Sequence, residues 1–301
     1  STSSYKTDAL EAKKKLEQIS PTMCLAKWNQ TSLHLPTGLT NSCYHPPLHE
    51  MDAEAVKLNP ATLHNTAEKL NQRQQMLQGE QPEGCSYCWN MEKTGEMSDR
   101  HYRSGEPWAM QDFEDIRKNP IDEHWTPRYV EVNFNNACNL KCSYCSPQFS
   151  TTWGKEIDRY GQYPTSPPHN APEHFQGRRK PIPNREDNPY VTAFWKWWPT
   201  LYKNLKHFRM TGGEPMMDKN TYKVLQYIID NPKKDLHLNV TSNMCPADKK
   251  LKDKYFNMAK HICMEEKVEH LMQFVSVDAW GKQAEYIRNG LDFNYMMDNV
   301  E

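Results

Sequence analysis

The sequence predicts an α/β fold in which a parallel sheet with crossover helices occupies the second half of the chain. From residue 128 onward, short alternating apolar runs take turns with longer stretches of helical period. Strands separated by helices in this way pair in parallel through right-handed crossovers. The first half differs, holding four cysteines among prolines and turn residues with no β–α alternation. The chain thus divides into a loop-rich cysteine module, 1–127, and an α/β part, 128–301, with a proline-rich insertion at about 149–195.

Residues 1–20 read as a charged lead-in helix with Leu10, Leu16 and Ile19 on a weak apolar stripe. Residues 21–50, marked by Pro21, Pro36, Gly38, Pro46 and Pro47, read as loop. A helix follows over about 51–78 and ends in the turn residues Gly79 to Gly84, with Cys85 and Cys88 directly after. Arg128 to Asn135 alternates as a strand and delivers its carboxyl end to Cys138. The connection 149–195, with Pro164, Pro167, Pro168, Pro172, Pro181, Pro183 and Pro189 and with Pro147 before it, has the length of a functional lid or a disordered segment. The aromatic run Phe194 to Trp198 reads as a helix packing on the sheet. Residues 207–211 form a second strand ending in Gly212-Gly213-Glu214-Pro215, and Asp218 suits an N-cap for the helix carrying Tyr222, Leu225 and Ile229. Leu236 to Val240 is a third strand, followed by a helix with Leu251, Tyr255, Met258 and Ile262 on one face. Phe274 to Val277 is a fourth strand, and a last helix begins near 291.

The totals exclude several classes. With 37 Lys+Arg against 38 Asp+Glu, the net charge of −1 gives no electrostatic reason to expect nucleic acid or an anionic membrane as partner. No run approaches the roughly 18 apolar residues of a membrane span, and the first residues lack a signal-peptide stretch, so a cytoplasmic protein is expected. Nine cysteines in such a chain are read as metal ligands or redox groups rather than disulfides.

Cys138, Cys142 and Cys145 form a C-x3-C-x2-C run. Three thiolates so close in sequence can hold one corner of an iron–sulfur cube and leave one iron open to a ligand. This run, with Tyr144 before its last cysteine and the Gly-Gly-Glu-Pro end of the next strand, resembles the radical SAM superfamily over about residues 128–290. The resemblance implies a partial (β/α) barrel of radical SAM type. It also implies an enzyme of oxidoreductase or peptide-modifying class that cleaves S-adenosylmethionine reductively. The 5′-deoxyadenosyl radical so formed would abstract hydrogen from a peptide or small-molecule substrate, with flavodoxin or ferredoxin as the one-electron donor.

Carried over residue by residue, Cys138, Cys142 and Cys145 ligate a 4Fe–4S cluster and Tyr144 packs near the adenine. Gly212 and Gly213 let backbone approach the cofactor, and Glu214 holds its amine. Ser276 and Asp278 match a ribose-binding strand end, Arg288 a position near the carboxylate, and Asn243 a contact to cofactor or substrate. Upstream, Cys24-x13-Gly38-x4-Cys43 with Cys85-x2-Cys88 resembles the auxiliary-cluster pattern of SPASM and twitch domains. It implies a second, fully ligated 4Fe–4S cluster for electron transfer, with a structural zinc site as the competing reading. His34, His45 and His49 could each stand in as a ligand there.

The family's barrel has six strands and about four are found here. The fourth strand is therefore expected to have an open edge, and the chain to be a fragment or to be completed by a second polypeptide. The alternatives in function are an RNA- or nucleoside-modifying radical SAM enzyme and an inactive metal-bound scaffold that acts through partners.

Overall fold

A computed structural model describes residues 2–161, 163 and 179–301. The architecture is mixed α/β with a mostly parallel seven-stranded sheet. In chain order the first elements are α1 (Thr2–Leu16), α2 (Ala26–Asn29), β1 (Gln30–His34), β2 (Leu39–Asn41), β3 (His49–Glu50), α3 (Ala53–Leu58) and α4 (Ala67–Leu77). Next come α5 (Ser86–Lys93), α6 (Asp99–Gly105), α7 (Pro107–Met110), α8 (Phe113–Lys118), β4 (Tyr129–Asn133), β5 (Lys141–Cys142), α9 (Thr151–Tyr160) and α10 (Pro189–Asn204). The remainder is β6 (His207–Thr211), α11 (Lys219–Asp230), β7 (Lys233–Ser242), α12 (Lys249–Met264), β8 (Val268–Val275), α13 (Gly281–Ile287), β9 (Arg288–Asn289) and α14 (Phe293–Val300). The sheet order is β3-β2-β1-β4-β6-β7-β8, and β5 pairs separately with β9.

The chain separates into two units, with the division falling inside β4. Unit 1 comprises Ser1–Leu33, Gly38–Val130 and Pro189–Lys206; unit 2 comprises His34–Thr37, Glu131–Asn188 and His207–Glu301. The longest stretch of unit 1 ends at Val130, and the helix of 189–204 belongs with unit 1. Its buried Phe194, Trp197 and Trp198 pack against α3 and the 3₁₀ turn Pro60–Leu63 within unit 1.

Unit 1 has its core in Leu16, Met23, Leu25, Trp28, Trp89, Trp108, Phe113 and Ile116, and three of its cysteines belong to the same cluster. Two expectations are corrected here. The helix expected over 51–78 is three pieces, because Pro60 has no N–H to donate and Asp52, Asn59 and Thr66 each turn a side-chain oxygen to the start of the next piece. The loop expected over 21–50 contains β1, β2 and β3. Gln30 to Leu33 of β1 are buried on both faces, so no apolar/polar alternation marks the strand. Of its polar side chains Thr31 bonds Thr40 of β2, whose Oγ1 also donates to the Ser32 carbonyl, whereas the buried side-chain polar atoms of Gln30 and Ser32 have no hydrogen-bond partner among the described residues.

In unit 2, β6, β7 and β8 pair in parallel. Phe208 and Met210 on β6 and Leu236, Leu238 and Val240 on β7 are buried, while His207, Arg209, His237 and Asn239 at the alternate positions are half-buried. Asp218 caps α11 by accepting from the Asn220 amide, as expected. The fourth strand runs Val268–Val275 rather than 274–277, so Ser276 and Asp278 fall in the loop after it. β8 stands at the end of the sheet order, with Met272 51% exposed and Phe274 also exposed. The insertion contains α9, and residues 164–178, with Pro164, Pro167, Pro168, Pro172 and the start of the Gly177-Arg-Arg-Lys180 run, lie outside the described residues. No helix among the described residues is long and apolar enough to cross a membrane.

Candidate functional site

The cysteine loop of unit 2 is built on the end of β4. Beyond it, Asn135 and Ala137 carbonyls accept from the amides of Gly213 (3.3 Å) and Glu214 (2.6 Å), which fastens the Gly-Gly-Glu turn to the loop. A Cβ on Gly213 would lie 2.3 Å from the Ala137 oxygen, and one on Gly212, where φ is +117°, 2.0 Å from Asn133 Oδ1. The missing side chains therefore serve the approach of these two strand ends to each other. Thr152 Oγ1 donates to the Cys138 carbonyl and Trp153 Nε1 to that of Cys142, so the first turn of α9 supports the loop from the other side.

Cys138 accepts from the Leu140 amide at 3.5 Å and faces Asn243 Nδ2 at 4.0 Å. Burial pushes its thiol up to about 12, and burial also raises those of Cys142 and Cys145. Such thiols stay protonated until a cation takes the proton's place. Glu214 is 2% exposed, and burial raises its carboxyl. It accepts from Met216 N (3.0 Å) and Ser242 Oγ (2.7 Å) at Oε1 and from Asn243 N (2.8 Å) at Oε2. A carboxylate offers about four acceptor positions. One remains on Oε2 for an incoming donor.

The end of the chain returns to this loop. β9 pairs antiparallel with β5, setting Arg288 opposite Cys142. The guanidinium, 8% exposed, donates from Nε to Asp278 Oδ2 at 2.5 Å, places Nη1 3.8 Å from Cys142 Sγ and lies 5.5 Å from the centroid of the Tyr144 ring. Tyr144 donates its hydroxyl to the same Asp278 oxygen at 2.9 Å. Tyr144, Asp278, Arg288 and Asn243 are thus gathered with the cysteines. Ser276 lies on the same strand end, its amide donating to the Ser242 carbonyl.

In unit 1, Cys24, Cys43, Cys85 and Cys88 line one small cavity of about 30 Å³. Cys24 follows α1, Cys43 follows β2, and Cys85 and Cys88 flank the amino end of α5. Burial raises Cys24, pushes Cys43 up to about 11 and Cys88 up to about 12. Donors face the sulfurs: Ser104 Oγ stands 4.0 Å from Cys24, and the amides of Lys27, His45 and Arg100 point to Cys24, Cys43 and Cys88.

Two of the three histidines considered as substitutes are engaged elsewhere. His45 bonds Asp99 at 2.7 Å and stacks on Tyr87, and His49 bonds Thr66 at 2.8 Å, whereas His34 belongs to unit 2, lies edge-on to Phe149 and leaves its buried Nδ1 without a hydrogen-bond partner among the described residues. Cys245 is buried with its thiol toward the Asp292 carbonyl, and Cys263 is exposed. Among the described residues no three of His, Cys, Asp and Glu are drawn close enough to hold a single metal ion.

The residues that sequence reasoning did not find are the cations beside the four cysteines: Lys27, Arg100 and Arg103 line the same cavity. A lysine carries no sequence signal for burial, since that residue type is expected outside. No family model, curated protein or solved structure matches the chain.

Proposed function

We propose that the chain is a radical SAM enzyme, with its cofactor-binding cluster on Cys138, Cys142 and Cys145 and an auxiliary cluster on Cys24, Cys43, Cys85 and Cys88. One observation carries the reading. The three-cysteine loop and the Gly-Gly-Glu turn, far apart in sequence, are bonded backbone to backbone on neighbouring strand ends, with Tyr144, Asn243, Asp278 and Arg288 around them. The carboxyl ends of parallel strands are where α/β enzymes assemble their sites.

The donor set fits the group. Soft thiolates with amide, Asn and Arg donors at their sulfurs are the surroundings of iron–sulfur ligation. In unit 1 four cysteines on one cavity could ligate a cluster or a structural zinc ion, and the iron count per chain separates the two. When bound, the reduced cluster and S-adenosylmethionine supply a 5′-deoxyadenosyl radical that takes hydrogen from the substrate.

The chain's own residues supply placement. Glu214 keeps one acceptor position for the cofactor's amine, and Asn243 orients beside Cys138. Arg288 holds positive charge beside Cys142, where a carboxylate group of the cofactor would be drawn. Asp278 fixes both Arg288 and the Tyr144 ring. The substrate is a peptide or small molecule, the outside donor is of flavodoxin or ferredoxin class, and a second polypeptide alongside β8 fits that strand's open edge.

The test is anaerobic reconstitution followed by reduction with dithionite in the presence of S-adenosylmethionine. About eight irons per chain and release of 5′-deoxyadenosine are expected. Cys142→Ala should lose the release and about half of the iron. Iron at both sites without any 5′-deoxyadenosine from the wild-type chain would overturn the enzyme reading and favour a metal-bound scaffold.

A further inference from the structure

Unit 1 buries positive charge that its carboxylates do not answer. Lys27 is 2% exposed and its ammonium donates to Gln72 Oε1 at 2.6 Å, whose own amide donates to Glu68. Lys69 is fully buried, and its ammonium meets only the hydroxyls of Thr31 (2.7 Å) and Thr40 (2.9 Å). Arg73, also fully buried, meets the Lys27 carbonyl, Asn65 and His64. Among the described residues none of the three has a carboxylate within ion-pair distance. The nearby acids are committed: Glu92 is bidentate on Arg100, and Asp99 is on His45. An ammonium buried without a counter-charge costs several kcal/mol, so it either gives up its proton, as burial and the neighbouring Arg73 and Lys27 press Lys69 to do, or stands beside an anion, as Lys27 can beside the cysteines.

The anion is supplied by the cavity that Lys27 lines. Four cysteine thiols carry no charge until a metal centre ligates them, and then the whole assembly is anionic. Reduction adds one further negative charge. Nearby cations stabilise that reduced form more than the oxidised one, and donors to the sulfurs act in the same direction. The loop of unit 2 has the opposite surroundings, with the carboxylates of Glu214 and Asp278 set against the single cation Arg288.

We propose that Lys27 is the electrostatic counter-charge of the four-cysteine centre, and that it raises this centre's reduction potential so that it takes up an electron before the three-cysteine centre does. The proposal rests on reading the four cysteines as an iron–sulfur site.

The experiment is an EPR-monitored dithionite titration of the anaerobically reconstituted full chain in the Cys142→Ala background, which leaves the upstream centre alone. Lys27→Met is expected to lower the midpoint so that the reduced-to-oxidised ratio at fixed potential falls tenfold or more, or 59 mV for one electron. Lys27→Arg should stay within threefold of the parent. A Lys27→Met protein with full iron and an unmoved midpoint overturns the proposal. Absence of iron from the upstream site in the parent overturns instead the reading on which it rests.

Thermal unfolding gives an independent measure that needs no redox centre. Metal-free Lys27→Met should melt above the metal-free parent, because it buries no unpaired charge, and should gain less on metal loading. A metal-free variant that melts lower, with an equal gain on loading, counts against the counter-charge role.

Discussion

Arg288 is the residue on which the unit 2 site turns, because one guanidinium answers a carboxylate, a thiol and an aromatic face. Its pairing with Asp278 is largely buried on the arginine side, 8% against 32% exposed. Removing one member leaves the other charge poorly solvated, so Asp278→Asn should cost about 2–3 kcal/mol in denaturant unfolding. An unchanged midpoint would mean that water already serves the guanidinium. His34 makes a separate prediction. Burial holds its imidazole down to about 4 from 6.5, so on acidification the unfolded chain binds the proton first. Its contribution is whole above pH 6.5 and lost as pH falls toward 4. His34→Gln should flatten the fall of the melting temperature over that window, and a slope unchanged by the substitution would discount the residue. At this scale the cysteines were legible because ligand spacing is written in the sequence. Lys27 and Lys69 were not, because only the tertiary structure puts them inside.

Among the elements, those of unit 2 followed the rules best. β6, β7 and α11 lie where period and cap chemistry put them, since each has one buried face and a recognisable start, and β4 shows itself by its apolar Val130 and Val132 although both of its faces are largely buried. β1 and β2 escaped because they are buried on both faces with polar side chains, and β9 because two residues carry no period. The junction of the Gly-Gly-Glu turn with the cysteine loop can be tested directly. Gly213→Ala drives a methyl onto the Ala137 carbonyl, and steric insertion of this kind costs about 1–3 kcal/mol. Lower thermal stability and poorer iron uptake at the three-cysteine site are expected. Gly154→Ala, in the interior of α9 with nothing near its Cβ position, should gain up to about 1 kcal/mol. If both substitutions behave alike, the close approach is not what governs position 213.

For the molecule as a whole, the exposed row on β8 is the feature most open to outside influence. Met272 and Phe274 stand exposed at the end of the sheet order, a template for another strand. Met272→Lys should therefore weaken concentration-dependent association in sedimentation velocity, and an identical profile would show that the edge is inert. The open edge was legible from the count of βα units, whereas the strands added beside β4 were not. The pairing of β5 with β9 has one more consequence, for the order in which the protein can be made. Cys142 and Arg288 are 146 residues apart, yet they face each other across two short hydrogen-bonded segments. During synthesis the three-cysteine loop therefore stands without Arg288 at its side until a further 146 residues have been made.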